Sequence, residues 1–298
     1  MTDINIIGVD KGSIFTNTSK GFEILSTVKR LDRDDIRIGA GQLVVKIDDS
    51  EYLLGEKGNF ATDLMKADQI NTPILTYGSI AKSFKDNELI KTNLVLGLPI
   101  KLYSRNKVRM KELFENKSKT VTINNEDRLI AIKNVLVYPE AAAAFNNQRE
   151  VDGIVFDFGG LSVDIAEFRD GKLEKYSTYS MGLLKLYSKI ANKVNADYDL
   201  SVTEWEVKNL LENGIYIFGQ KKDIGAGRII DNHISDIIER FKLEYDLKRA
   251  RNIILTGGGS EDYFDKLKAH IPQSKLSNNA KGDNAIGLEK VGRTIFGE

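Results

Sequence analysis

The sequence predicts a two-domain α/β protein in which each domain holds a mixed sheet flanked by helices. Three observations predict it. Short, β-branched apolar runs alternate with longer helical stretches, a pattern that implies α/β layers and a partly parallel sheet. One strand–turn unit occurs twice: Ile6–Val9 runs into Asp10-Lys11-Gly12-Ser13, and Ile154–Phe156 runs into Asp157-Phe158-Gly159-Gly160. The two aspartates are 147 positions apart, about half of a 298-residue chain, as expected of two copies of one unit. That length suits two medium domains with one copy in each, expected at residues 1–148 with 278–298 and residues 149–277.

The buried strands are expected at Ile4–Val9, Asn93–Leu98, Leu129–Val137, Gly153–Phe158 and Asn252–Leu255. Each is rich in Val, Ile or Leu and bounded by turn-forming residues. Leu43–Ile47 and Tyr52–Leu54 flank Asp48-Asp49-Ser50 as a hairpin. Helical spacing marks Thr72–Phe84, Ser104–Phe114, Ala141–Asn147, Leu183–Val194, Thr203–Leu211, Ile229–Tyr245 and Ala285–Ile295. The mixed-charge runs Lys29–Asp35 and Lys221–Asp223 read as solvated loops, Trp205 as a core residue, and His233 and His270 as surface or satisfied core residues.

Composition narrows the function classes. Lys+Arg and Asp+Glu both number 43, which gives no electrostatic drive toward nucleic acid or acidic membranes. There is no cysteine, hence no disulfide, thiolate metal site or cysteine nucleophile, and with only two histidines a multi-histidine metal site is not expected. No apolar run approaches the ~20 residues of a membrane span. MTDINIIGVDKGS lacks a basic region followed by a long apolar one. The expectation is a cytoplasmic protein with no direct nucleic-acid or membrane partner.

Four segments carry candidate chemistry. A glycine after a strand lets the backbone approach an anion and point its N–H groups at phosphate oxygens, so Asp10, Gly12 and Ser13 form a first candidate loop. An acid at the strand end suits the waters of a Mg²⁺ ion. Asp157, Gly159, Gly160, Leu161 and Ser162 repeat this arrangement. A strand, a bend and a second strand would carry Asp164 back toward Asp157. Two carboxylates, Asp157 and Asp164, beside a phosphate call for a cation, and the strand-end acids Asp10 and Asp157 are the expected Mg²⁺ residues, through water. Pro139 ends a strand before Ala141–Ala144, leaving Glu140 at a strand–helix junction where a carboxylate can orient or deprotonate water. Gly257, Gly258 and Gly259 after Ile253–Leu255 leave bare backbone for a flat ligand or phosphate. Each segment also has a bland reading: a hairpin turn, an acid in a first helical turn, or a flexible connector.

The order of these segments resembles the actin superfamily. An early Asp-x-Gly-Ser, a central Pro-Glu-Ala, an Asp-x-Gly-Gly with a distal acid, a late triple glycine and a terminal Asn284-Ala285-Ile286-Gly287 span nearly the whole chain. Within the superfamily it resembles bacterial and archaeal actin-like proteins, and the plasmid-segregating ParM group most. The resemblance implies two phosphate loops at Asp10 and Asp157, an adenosine loop at Thr256–Ser260, and interdomain connections at Tyr138–Ala144 and Asn284–Gly287. It implies catalytic roles for Glu140 and Asp164, and a turn near the nucleotide at Ser180–Leu183, which adds Gly182. It further implies ATP or GTP with Mg²⁺, head-to-tail filaments that hydrolyse the nucleotide and disassemble, and a DNA-binding adaptor of ParR type. One departure stands out. The family carries a lysine five positions after the first-loop glycine, and here that position is Asn17; Lys11 and Lys20 are the nearby candidates to replace its charge. A small-molecule kinase of the same superfamily, of pantothenate- or sugar-kinase type, and a non-polymerising ATPase switch remain the alternatives.

Overall fold

The computed structural model describes residues 4–32, 41–56, 60, 63–123, 125–148 and 150–297. Its first half holds β1 (Asn5–Lys11), β2 (Phe15–Thr18), β3 (Glu23–Leu25), β4 (Val28–Leu31), β5 (Leu43–Ile47) and β6 (Ser50–Leu54). Helix α1 (Asn71–Ser83), β7 (Leu89–Leu98), α2 (Tyr103–Glu112), β8 (Lys117–Ile123), β9 (Glu126–Pro139) and α3 (Ala142–Asn146) follow. The second half holds β10 (Gly153–Phe158), β11 (Val163–Arg169), β12 (Lys172–Tyr179), α4 (Leu183–Tyr198), α5 (Glu204–Asn213), β13 (Ile215–Ile217), β14 (Gln220–Lys222) and α6 (Gly227–Glu244). The chain ends with β15 (Ile253–Thr256), α7 (Gly258–Asp262), α8 (Phe264–His270), β16 (Ser274–Leu276) and α9 (Asp283–Phe296).

The strands form two large mixed sheets. One runs β3-β2-β1-β7-β9-β8-β5-β6-β4 and the other β12-β11-β10-β15-β16. The first five strands of one match the five of the other in order and direction: two antiparallel pairings, then two parallel ones. The repeated sequence unit is therefore a repeated sheet. β1 and β10 are the central strands, nearly continuous apolar runs because both of their faces are covered. Each sheet has its own core. Ile7, Leu75, Leu94, Leu96 and Phe114 anchor one; Phe156, Ile190, Ile237, Phe241 and Leu255 anchor the other. Fully burying such a side chain contributes ~1.5–3 kcal/mol, so each half has a separate source of stability.

The helices follow their sequences. In α6, Ile230, Ile234, Ile237, Ile238 and Phe241 recur at helical spacing and are buried on one stripe. α5 starts with a capping box in which Thr203 and Glu206 bond reciprocally, satisfying two otherwise orphaned N–H groups. α9 lies on the first sheet, although it follows the last strand of the second, and it crosses α3 at very close range.

Some expectations are corrected. Val28–Leu31 pairs with β6 and is a strand, not a solvated loop, because its partner strand satisfies the backbone; residues 33–35 of that run lie outside the described residues. Lys221 and Lys222 belong to the β13–β14 hairpin. Trp205 is only half-buried and faces the space between the two halves, since its ring meets Phe60 and not a core.

Candidate functional site

The two glycine bends meet. β1 returns into β2 with Asp10 opposite Asn17, and β10 returns into β11 with Asp157 opposite Asp164. The hairpins are equivalent, seven residues from the first acid to its cross-strand partner in each. A Cβ built on Gly160 would lie 3.2 Å from Ser13 Cβ and 2.8 Å from Ile14 Cγ1, so the bends face one another across a narrow gap. Between them opens a cleft of about 420 Å³, within the range of small-molecule sites.

Twelve of the fourteen sequence-predicted residues line this cleft: Asp10, Gly12, Ser13, Glu140, Asp157, Gly159, Gly160, Leu161, Ser162, Asp164, Gly257 and Gly258. Gly182 and Gly259 do not; they pack behind it. A Cβ on Gly182 would lie 2.3 Å from the Gly160 carbonyl oxygen, and one on Gly259 would lie 2.5 Å from the Phe158 ring. Only glycine lets the start of α4 sit under the second bend. The Leu183 and Leu184 N–H groups then donate to the Gly159 and Gly160 carbonyls, which fixes that bend on the helix.

Four carboxylates converge here, all under a tenth exposed. Burial pushes Asp157 up to about 7, with Asp164 adding repulsion; the Asn284 amide donates to its Oδ2 at 2.7 Å and opposes the rise. The same amide's oxygen accepts from the Ala141 N–H at 3.1 Å, tying the α3 connection to the second bend. Burial also raises Asp164, against hydrogen bonds from Thr178 and from Ser162 at 2.7 Å. Burial pushes Glu140 up to about 8 against the attraction of Lys66.

Lys66 is the residue the sequence reading missed. It sits on a short 3₁₀ turn, Lys66–Asp68, just before α1, and is 4% exposed. Its ammonium donates to Glu140 Oε1 and lies 3.5 Å from Asp10 Oδ1. Burial alone would lower its pKa, but Glu140 and Asp10 more than offset this and hold it above the ordinary lysine value. The two lysines expected from the sequence do other things. Lys20 pairs with Glu289 at 3.0 Å, and Lys11 donates to Gln69 Oε1. Burial and then the Lys66 charge pull Lys11 down to about 7.

Beyond the acids the cleft becomes apolar, with Leu183, Tyr187, Trp205 and Phe60 along it. Phe60 and Trp205 come from opposite halves, their ring centroids 5.5 Å apart. A flat apolar slot continuing into a glycine-lined acidic pocket suits a ligand with an aromatic end and an anionic end carrying a cation. Among the described residues, no three acidic or histidine side chains are placed to ligate a metal together, so a cation here would rely on water and ligand oxygens.

Residues 8–142 match the family described as the actin-like proteins N-terminal domain. No curated protein matches the chain. Among solved structures, an archaeal actin homolog, Ta0583, aligns with a TM-score of 0.83 at 19% identity, over 98% of this chain and 100% of that one. Its complex with ADP gives 0.79. A ParM from a 15-stranded filament of Clostridium botulinum gives 0.80 at 18% identity, over 98% and 100%. The Alp12 filament structure gives 0.70 at 19%, over 99% and 100%. Among the described residues, no helix is long and apolar enough to cross a membrane.

Proposed function

We propose that this chain, which has the actin-like fold and matches the actin-like N-terminal-domain family over residues 8–142, is a polymerising ATPase that holds Mg-nucleotide in the cleft. The supporting observation is the meeting of two equivalent Asp-glycine hairpins, one from each half, around one acidic pocket. In this reading residues 1–148 with 278–298 and residues 149–277 are the two domains that close on the ligand. The site fits a Mg-nucleotide: bare glycine backbone for phosphates, an excess of buried carboxylate for a cation, and an aromatic slot for a base.

Bound there, the group supplies a phosphoanhydride whose cleavage is driven by positioning and charge stabilisation. The chain's own residues do the rest. Gly12, Ser13, Gly159, Gly160, Leu161 and Ser162 hold the phosphates, and Gly257 and Gly258 the nucleoside. Asp10 and Asp157 would hold a Mg²⁺ ion through water, Asp157 by giving up the proton that burial favours, and the ion would offset phosphate charge. Glu140 and Asp164 arrange the attacking water. Glu140, its carboxyl raised toward neutrality, accepts the water's proton. Ile14 and Leu161 line the pocket beside the bends and exclude bulk water.

Closure favours one subunit shape, and a heterologous contact repeated between such subunits builds an open filament. The structures of ParM and Alp12 filaments support that outcome, and the ParM likeness supports a cytoplasmic role in plasmid partition through a ParR-type adaptor. Light scattering and negative-stain microscopy with Mg-ATP, a non-hydrolysable analogue and Mg-GTP test the proposal. A nucleotide-dependent rise in polymer is expected. Turnover that appears only with an added hydroxyl substrate would indicate a kinase instead, and a monomer at high concentration with ATP a non-polymerising switch. Glu140→Ala is expected to lower turnover by about 10²-fold or more while its polymer persists longer than wild type. Rapid loss of that polymer counts against the role of Glu140.

A further inference from the structure

Lys66 is a costly residue that stability does not explain. A buried ion pair seldom outperforms an apolar pair of the same shape, because two charges have lost their water. Yet the surroundings are built to hold the turn that carries this lysine. The Thr72 hydroxyl donates to the Lys66 carbonyl at 2.6 Å, and the Met65 N–H is capped by Asp63 Oδ1 at 2.8 Å. Arg109 of α2 pairs with Asp68 at 2.7 Å on the other end of the turn. The lysine is thus delivered from outside both glycine bends, on a turn anchored to α1 and α2.

The charges around it single it out. Of the lysines lining the cleft, Lys208 pairs with Asp262 at 2.8 Å and Lys281 with Glu261 at 2.8 Å, both at the rim. Lys11 is bonded to Gln69 and does not line the cleft. Among the described residues, Lys66 is the cation bonded to the acids between the bends. An ammonium is a compact charge suited to phosphate, and in a water-poor site its attraction for an anion is stronger than in water.

Resting on the nucleotide reading above, we propose that Lys66 is the cation that neutralises the terminal phosphate. Nucleotide entry trades its bonds to Asp10 and Glu140 for phosphate oxygens, and Glu140 is thereby released to hold water. Lys66 is in this sense a two-position residue: counter-ion to the carboxylates, or partner of the phosphate. Asn17 supplies the control. It is the cross-strand partner of Asp10, lines the same cleft and is neutral, so a lysine placed there enters the same space.

The test compares wild type, Lys66→Met, Lys66→Arg and the double variant Asn17→Lys/Lys66→Met. Calorimetry gives the affinity of each for Mg-ADP and for a Mg-bound non-hydrolysable ATP analogue, and melting curves report folding. Because one charge-assisted bond to phosphate is lost, Lys66→Met is expected to weaken the analogue at least about tenfold while changing ADP by less than about threefold. Lys66→Arg, which keeps the charge and secures folding, is expected to fall between, and the double variant to recover most of the analogue affinity. Unchanged analogue binding in Lys66→Met overturns the role of Lys66 and leaves the nucleotide reading standing. So does an equal loss for both nucleotides that Asn17→Lys does not repair. A wild-type protein that binds neither nucleotide removes the nucleotide reading itself, and this inference with it.

Discussion

Asp157 is under two opposing demands. Its burial favours the protonated form, whereas a cation would need it ionised. The sign of the resulting pH effect is definite. A carboxyl raised from the ordinary range of ~4 to about 7 stabilises the folded chain when protonated. That contribution is complete below the unfolded value and is lost as pH rises through the folded one. Asparagine at this position has no proton to lose and still accepts from Asn284. In EDTA, the melting temperature of Asp157→Asn is therefore expected to gain on wild type as pH rises from about 5 to about 8. A constant difference across that range would mean that Asp157 is ionised throughout. Residues such as Asp157 were legible because a strand, an acid and a glycine stand in contiguous order. Lys66 was not, since Met65-Lys66-Ala67-Asp68 carries no turn glycine and no repeat; only tertiary packing brings it to Glu140, 74 positions away. Trp205 was misplaced for a related reason. Helical spacing shows that α5 has a buried face, but not that its neighbouring stripe borders a cleft.

At the level of elements, the crossing of α3 and α9 sets the geometry of the hinge. A Cβ built on Gly287 would lie 1.8 Å from the Ala143 carbonyl oxygen, well inside any permitted contact, and the atom it meets is backbone. The helices must separate to admit it. Gly287→Ala is expected to cost at least ~1–3 kcal/mol in denaturant unfolding, the range of core overpacking. It should also weaken nucleotide binding, because Asn284, one turn earlier on α9, holds both Ala141 and Asp157. A variant with wild-type stability would show that the crossing is looser than its backbone contacts indicate. The buried strands were readable for the opposite reason to Lys66: β1, β7, β9, β10 and β15 are apolar along most of their length, and the structure moves their ends by only a few residues. β2, β3, β8, β12 and β16 are short or polar on one side, and neighbouring strands, not their own side chains, hold them. Their sequences carry too little alternation to reveal this.

For the molecule as a whole, the repeated sheet order matters most. The two main cores share no residue; behind the cleft a smaller cluster packs Ala142 and Phe145 of one half against Val155 and Phe168 of the other, and across its mouth Phe60 meets Trp205. A ligand that touches both bends adds contacts across the open side of the cleft, so binding should close it and draw the aromatic pair along. Trp205 is the chain's one tryptophan, which makes the movement directly observable. Titrating Mg-ADP or a Mg-bound ATP analogue is expected to change intrinsic fluorescence saturably, with the same midpoint as calorimetry, and Trp205→Phe should abolish the signal. Phe60→Ala should alter the starting emission and reduce the change, because the indole then loses its partner across the cleft. If calorimetry detects tight binding while the emission of Trp205 stays constant, the ligand lies at the glycine bends without the two halves moving together. Nucleotide state would then have to reach a filament contact by a route other than domain closure.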